Sequence, residues 1–262
     1  MTLAATSLVV SFLDEQLAIR EVPDEANALN GLQVENGGKV GWIVAAVDAS
    51  LATIQAVARG KAGKPGLLMV HHGLFWDGTQ PLTGRRFQRA STLIRHDIAL
   101  YSAHIPLDLH PEIGNNALLA RRLGLEVEGR FGEYRGTLIG TWGRAPASMR
   151  SREGLVVAVA GALSLSSEAI TLIPGGPSAI QRVGVISGAA GNMVAAARDA
   201  GLDTFITGEG PHHTYFDAME WGVNLLYAGH YATETLGVQA LAARAADRFS
   251  LPWEFSDHPT GL

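Results

Sequence analysis

Residues 67–76 read LLMVHHGLFW. The apolar run Leu67, Leu68, Met69 and Val70 predicts a short buried strand. Two neighbouring histidines, His71 and His72, close it, and Gly73 follows. In open α/β sheets, ligands gather at the carboxyl ends of the strands. A buried strand that stops at adjacent imidazoles therefore brings two nitrogen ligands to one place on a rigid base. Successive side chains on a strand point to opposite faces. Either Gly73 lets the chain turn sharply there, or the two rings serve two ions. A histidine pair alone is more often a core or surface feature than a metal site, so the rest of the chain has to decide.

Upstream, residues 40–47 (VGWIVAAV) form a near-continuous apolar strand that stops at Asp48, and Ser50 is placed to cap a helix running to about Arg59. Further upstream, Val10, Leu13 and Leu17 fall at helical spacing, and Pro23 is expected to end that helix. Downstream, a polar loop over 77–83 leads to a helix from about Arg85 to Arg95. A strand over 98–103 then stops at His104, with Asp108 four residues on, and residues 115–123 form a helix. Glycine-broken strand pieces occupy 126–146, and LVVAVA at 155–160 reads as a buried strand. Strands follow over 182–187, Thr204–Thr207 and 223–228, the last stopping at Gly229-His230 with Glu234 four residues later. Pro211 is expected to open a helix carrying His212 and His213, and Thr235–Phe249 is the last helix. The reading is an α/β fold in two related halves, 1–128 and 129–262, with the break placed by composition.

The plan repeats. Strand, helix, strand, His71-His72, helix, strand, His104, Asp108 is answered by strand, helix, strand, Gly208-Glu209, helix, strand, His230, Glu234. The letters agree around the later strands, LYSAHIPLD beside LYAGHYATE. One His-x-x-x-carboxylate means little, but two in matching positions suggest half-units whose strand ends converge on a shared cleft. Imidazole with carboxylate suits Zn, Mn, Fe or Ni rather than Ca or Mg alone, and a bridging carboxylate suits a pair of divalent ions.

Composition narrows the classes. The 262 residues are 47 % hydrophobic and only 17 % charged, enough for a large buried core. Net charge is −5 and no basic block stands out, which argues against a nucleic-acid partner. Without cysteine, disulfides, thiolate metal sites and thiol nucleophiles are excluded. The first residues lack a basic lead and 154–165 is too short to span a bilayer, so the expectation is a cytoplasmic protein with no membrane contact.

NGLQVENGG (30–38), VDAS, HHGLFW, SAHIPLD, GEG–HH and GHYATETLGVQAL occur in order from about residue 28 to 242. In these pieces the chain resembles the NGG-interacting-factor-three-like dinuclear metal-centre proteins, often called "GTP cyclohydrolase 1 type 2 homolog". The resemblance implies two α/β halves with a pair of divalent ions between them, and a ring-shaped homohexamer. It implies His71, His72, Asp108, His230 and Glu234 as metal ligands, with Glu234 the better bridge. His104 matches His230 in the first half; a residue orienting a carboxylate ranks ahead of a third-histidine ligand or a proton shuttle. Gly73 and Thr233 stand where the family often has proline and serine; Thr233 keeps the hydroxyl.

The function expected is a metal-dependent hydrolase. A hydroxide generated by the ions would attack a small ring, amide or nucleotide substrate, cyclohydrolase-like by resemblance, while His104 or Glu209 moves protons. A metallophosphoesterase and a non-enzymatic metal-delivery ring are the alternatives. Other residues carry weaker signals: His212 and His213 as anion contacts, 188–191 as a phosphate nest, Trp76 and Tyr231 as stacking platforms; solvent-facing helix histidines, a plain strand–helix turn and core packing are the favoured readings. No P-loop pattern and no Lys/Arg cluster near the motifs marks a triphosphate cradle.

Overall fold

The strand opened by LLMV runs past both histidines. In the computed structural model, which describes residues 2–61 and 63–262, it spans Gly66–His72. Backbone packing divides the chain into two units, Met1–Leu107 with Gly237–His258, and Asp108–Leu236 with Pro259–Leu262. This differs from a break at 128/129. Helix 115–122 packs under the second sheet, and residues 237–258 return to the first unit before the last four residues rejoin the second.

The strands of the first unit's main sheet are β2 (Gly31–Val34), β4 (Ile43–Asp48), β5 (Gly66–His72), β6 (Ile98–Ser102) and β13 (Trp253–Phe255). They lie in the order β13-β4-β5-β6-β2. Strands β13, β4, β5 and β6 run parallel and β2 antiparallel at the edge. A small ribbon pairs β1 (Ala4–Ala5) with β3 (Lys39–Val40). Helices α2 (Leu51–Gly60) and α3 (Gly84–Arg95) make the crossovers. Strands covered on both faces must be apolar throughout, and Ile43, Val44, Ala45, Leu67, Leu68, Met69, Val70 and Leu100 are indeed buried. Ser50 caps α2, its hydroxyl accepting from Thr53 N–H at 3.1 Å. Helix α1 (Thr6–Leu17) buries Val9, Leu13 and Leu17. It ends at Ala18, whose φ of 47° is left-handed, well before Pro23. Phe12 of α1 meets Phe249 of α10 (Thr235–Phe249) edge to face at 5.7 Å.

The strands of the second unit are β7 (Glu126–Tyr134), β8 (Thr137–Arg144), β9 (Thr171–Pro174), β10 (Arg182–Val185), β11 (Thr204–Thr207) and β12 (Asn224–Tyr227). They form a six-stranded sheet in the order β7-β8-β10-β11-β12-β9. The central β10, β11 and β12 are parallel, flanked by the β7–β8 hairpin and by β9. Their crossovers are α7 (Val194–Asp199) and α8 (Thr214–Trp221). The repeat in the sequence is thus a repeat in topology: β4-β5-β6 and β10-β11-β12 are the same three-stranded parallel plan.

Residues 155–160 are not a strand. They lie inside helix α6 (Arg152–Leu163), capped by Ser151, whose hydroxyl accepts from Gly154 N–H at 3.0 Å. Leu155, Val159, Ala160 and Leu163 face the core formed with α5 (Asn115–Arg122), Val183, Val185 and Ile206, whereas Val157 is 63 % exposed. An unbroken apolar run hid that one-sided burial. Pro211 also stands three residues ahead of α8 rather than in its first turn, its carbonyl accepting from Thr214 N–H.

Candidate metal centre

In the first unit the ends of β5 and β6 deliver three imidazoles. His71, His72 and His104 each offer a ring nitrogen, all within 4.8 Å of one another. The ring centroids of His71 and His72 are 4.8 Å apart and those of His71 and His104 5.0 Å. Adjacent strand residues thus do bring their rings together at this strand end. His104 comes from the turn before α4 (Ile105–Asp108), and it joins the two histidines rather than standing apart.

Each ring is held from behind at Nδ1. His71 Nδ1 lies 2.8 Å from the carbonyl of Ala103, His72 Nδ1 2.9 Å from Asp48 Oδ1, and His104 Nδ1 2.8 Å from Asp24 Oδ1. A carbonyl or carboxylate oxygen only accepts, so Nδ1 carries the proton and donates, and the lone pair falls on Nε2. This is how metal-binding histidines are fixed in tautomer and orientation. Asp48 pairs in register with His72 across β4 and β5. Asp24 also accepts from Asn30 Nδ2 at 2.7 Å and from Ile105 N–H at 2.9 Å. Burial would raise its carboxyl, but the hydrogen bond and charge of His104 prevail and hold it below the usual range.

The second unit repeats the device. His230 opens α9 (His230–Thr233) after β12; its Nδ1 is 2.7 Å from Glu209 Oε1, and its Nε2 is 3.2 Å from Glu234 Oε2. Burial would lower the imidazole, but hydrogen bonds and charge from Glu234 and Glu209 raise it to about 9. A cation is favoured where the two carboxylates meet the ring. Glu234 is 2 % exposed. Gly188 stands against it, with a φ of +67° and no room for a Cβ beside Glu234 Oε1. Thr233 hydroxyl accepts from Gly188 N–H at 3.0 Å, which gives the retained hydroxyl its place. Asp108, also buried, accepts from Asn115 Nδ2 at 2.7 Å and Ser187 Oγ at 3.0 Å.

The donors, imidazole nitrogens in the first unit and imidazole nitrogen with carboxylate oxygen in the second, fit a metal of the Zn, Mn, Fe or Ni type, each imidazole having Nδ1 held by an oxygen acceptor. Three imidazoles turned toward one another, each with Nδ1 given to an oxygen acceptor, make a nitrogen donor set that a divalent cation fits.

A model of the family described as Duf34/NIF3 (NGG1p interacting factor 3) matches residues 4–260. The chain belongs to the DUF34/NIF3 family. A Deinococcus radiodurans relative named "GTP cyclohydrolase 1 type 2 homolog" is 46 % identical over 97 % of this chain and 93 % of that one. A Treponema pallidum relative of the same name is 40 % identical over 90 % of this chain and 92 % of its own length. Among solved structures, a protein titled ybgI, of unknown function, superposes with a TM-score of 0.89 at 33 % identity, covering 99 % of this chain and 100 % of that one. The Thermus thermophilus protein TTHA1606 gives 0.85 at 36 % identity over 99 % and 100 %.

The residues with weaker sequence signals in this DUF34/NIF3 chain are also placed. The 188–191 turn is not a nest for phosphate. Its N–H groups at Gly188, Ala190 and Gly191 are donated to Thr233, Thr207 and the Glu209 carbonyl, while the Gly188 carbonyl accepts from Gly208 and Glu209 N–H. His212 and His213 are exposed, His212 edge-on to Phe216 and His213 3.9 Å from Asp217. Tyr231 is buried. Trp76 lies 4.7 Å from His104 and 5.7 Å from His72, ring centroid to ring centroid. Sequence reading missed Asp24 and left Asp48 without a role. The signal for Asp48 was present, since it ends the strand beside the one that delivers His72. Asp24 lies in an aperiodic loop and gave none. Among the described residues no helix is long and apolar enough to cross a membrane.

Proposed function

We propose that the chain is a metal-dependent hydrolase that binds two divalent ions, with His71, His72, His104, Asp108, His230 and Glu234 as ligands. The observation that carries the reading is the shared arrangement of all four histidines, each with Nδ1 given to an oxygen acceptor. A surface or core histidine does not require this, and a ligand does. The relatives' name, "GTP cyclohydrolase 1 type 2 homolog", supports a cyclohydrolase-like reaction; small cyclic, amide and nucleotide substrates are the classes proposed here. Divalent ions bound here would supply Lewis acidity and a water acid enough to ionise near neutral pH.

The protein's own groups then position and move protons. Asp48 and the Ala103 carbonyl lock His72 and His71. Asp24 holds His104 at Nδ1 and leaves its Nε2 free to act with those of His71 and His72. Glu209, 47 % exposed, holds His230 Nδ1 and gives protons a way to solvent. We extend the proposal to a homohexameric ring, to be checked by light scattering.

The test is turnover by the full chain reconstituted with Zn, Mn or Fe, on a panel of cyclic amides, purine nucleotides and phosphoesters, with products identified by mass spectrometry. The reading expects metal-dependent hydrolysis that His71→Ala abolishes. No turnover with any metal, or turnover unchanged in His71→Ala, would replace it with a metal-delivery role.

A further inference from the structure

Beside the three imidazoles of the first unit stands a group of cations that the sequence spacing concealed. Trp76, packed edge-on against His104 and His72, is followed by Asp77. Asp77 is held by Arg85 at 3.0 Å and by Arg86, which also donates to the Gly78 carbonyl. Arg89 lies four residues after Arg85 and three after Arg86 on α3, so the three guanidiniums share a face. Asp77 is committed to the first two. Arg89 makes no hydrogen bond or ion pair among the described residues, and its Nε is buried without an acceptor. The indole N–H of Trp76 is likewise buried and without an acceptor among them. Burial, and then the charge of Arg85, hold the Arg89 guanidinium below its ordinary range, while the charges of Asp77 and Asp48 act the other way. Arg89 therefore feels the carboxylate that orients His72.

Native structures rarely leave buried donors unmatched, and such donors ask for a ligand or a water. An arginine fork and an indole N–H are donors only. Their complement is an oxygen acceptor, and beside an excess of guanidinium it is an anionic one.

We propose that Arg89, with the Trp76 indole N–H as second donor, is the anion-recognising edge of the substrate site next to His71, His72 and His104, taking a carboxylate or phosphate group of the substrate. The proposal rests on the metal-site reading above and adds a charge requirement to the substrate. It leaves a ring or amide free to face the imidazoles while the oxyanion sits on α3.

The test uses the full chain, labelled at the indole nitrogens, with inorganic phosphate and acetate as probes. Trp76→Phe assigns the Trp76 N–H resonance. Titration of wild type is expected to move that resonance with at least one probe. Arg89→Gln is expected to weaken binding by roughly tenfold or more, the loss of one charge-assisted contact, and Arg89→Lys to fall between. Metal content of the same samples is read by elemental mass spectrometry and is expected to be equal in wild type and Arg89→Gln. Phosphate alone, or acetate alone, decides which oxyanion the site takes. A Trp76 resonance unmoved by either probe, an Arg89→Gln titration matching wild type, or metal lost together with Arg89 would each overturn the proposal. If wild type binds the anion but no metal, the hydrolase reading fails while the anion site stands.

Discussion

Replacing Gly188 by alanine strikes the Glu234 carboxylate without touching a charge. The residue has φ +67°, where an L-side chain costs about 1–2 kcal/mol. That alone lowers the melting temperature by roughly 2–8 °C in a chain of this size. The new Cβ would also stand 3.5 Å from His230 Nε2 and inside contact distance of Glu234 Oε1. Glu234 is buried, so its carboxylate must rotate away from His230. Gly222 supplies the control: its φ is +72° and an added Cβ there meets nothing within 4 Å. Gly222→Ala should show the backbone cost alone. Gly188→Ala should show that cost and a loss of metal affinity of about tenfold or more, the scale on which displaced ligands and their supports act. Affinity is read by competition with a chromophoric chelator and stability by thermal melting. Equal metal affinity in Gly188→Ala and Gly222→Ala would refute the placement of Glu234 as a ligand.

Asp24→Asn and Asp48→Asn remove the carboxylates behind His104 and His72, and each should weaken metal binding by roughly 10–100-fold in the same competition assay; unchanged affinity would show these contacts to be incidental. In metal-stripped protein the His230 pairing contributes stability that is fully present below the ordinary imidazole value of 6.5 and lost as pH rises through about 9, because the folded-state value is raised. Melting temperature should therefore fall across that window in wild type and fall less in Glu209→Gln; parallel curves would count against it. Ser151→Ala removes the cap of α6 and should cost about 1 kcal/mol in urea unfolding, with metal binding unaffected.

How much of this was legible in the sequence depended on burial. Strands β4, β5, β6 and β11 are covered on both faces, so their composition alone marks them, and β5 and β6 lead directly to the first unit's histidines. The same rule misplaced 155–160, because α6 leaves Val157 in solvent and an exposed valine reads as a buried one. Here the Ser151 cap was the better signal than hydrophobicity. The recurrence of His104 and Asp108 in His230 and Glu234 was visible because both copies follow the third strand of a parallel triplet. Asp24 and Arg89 were not visible. One lies in a loop without period, and the other's neighbours follow only from the turn of α3, which sets Arg85, Arg86 and Arg89 to one side. Nor can order along the chain show that 237–258 returns to the first unit.

The hydrolase reading depends on these imidazoles and carboxylates holding divalent ions. Elemental mass spectrometry on the full chain, purified without chelator or nickel resin, counts those ions, with wild type beside Glu234→Ala. About two ions per wild-type chain are expected, as a two-metal site requires, with a sharp fall in the variant. Less than about half an ion per chain, unchanged on adding Zn, Mn or Fe, would contradict the metal centre.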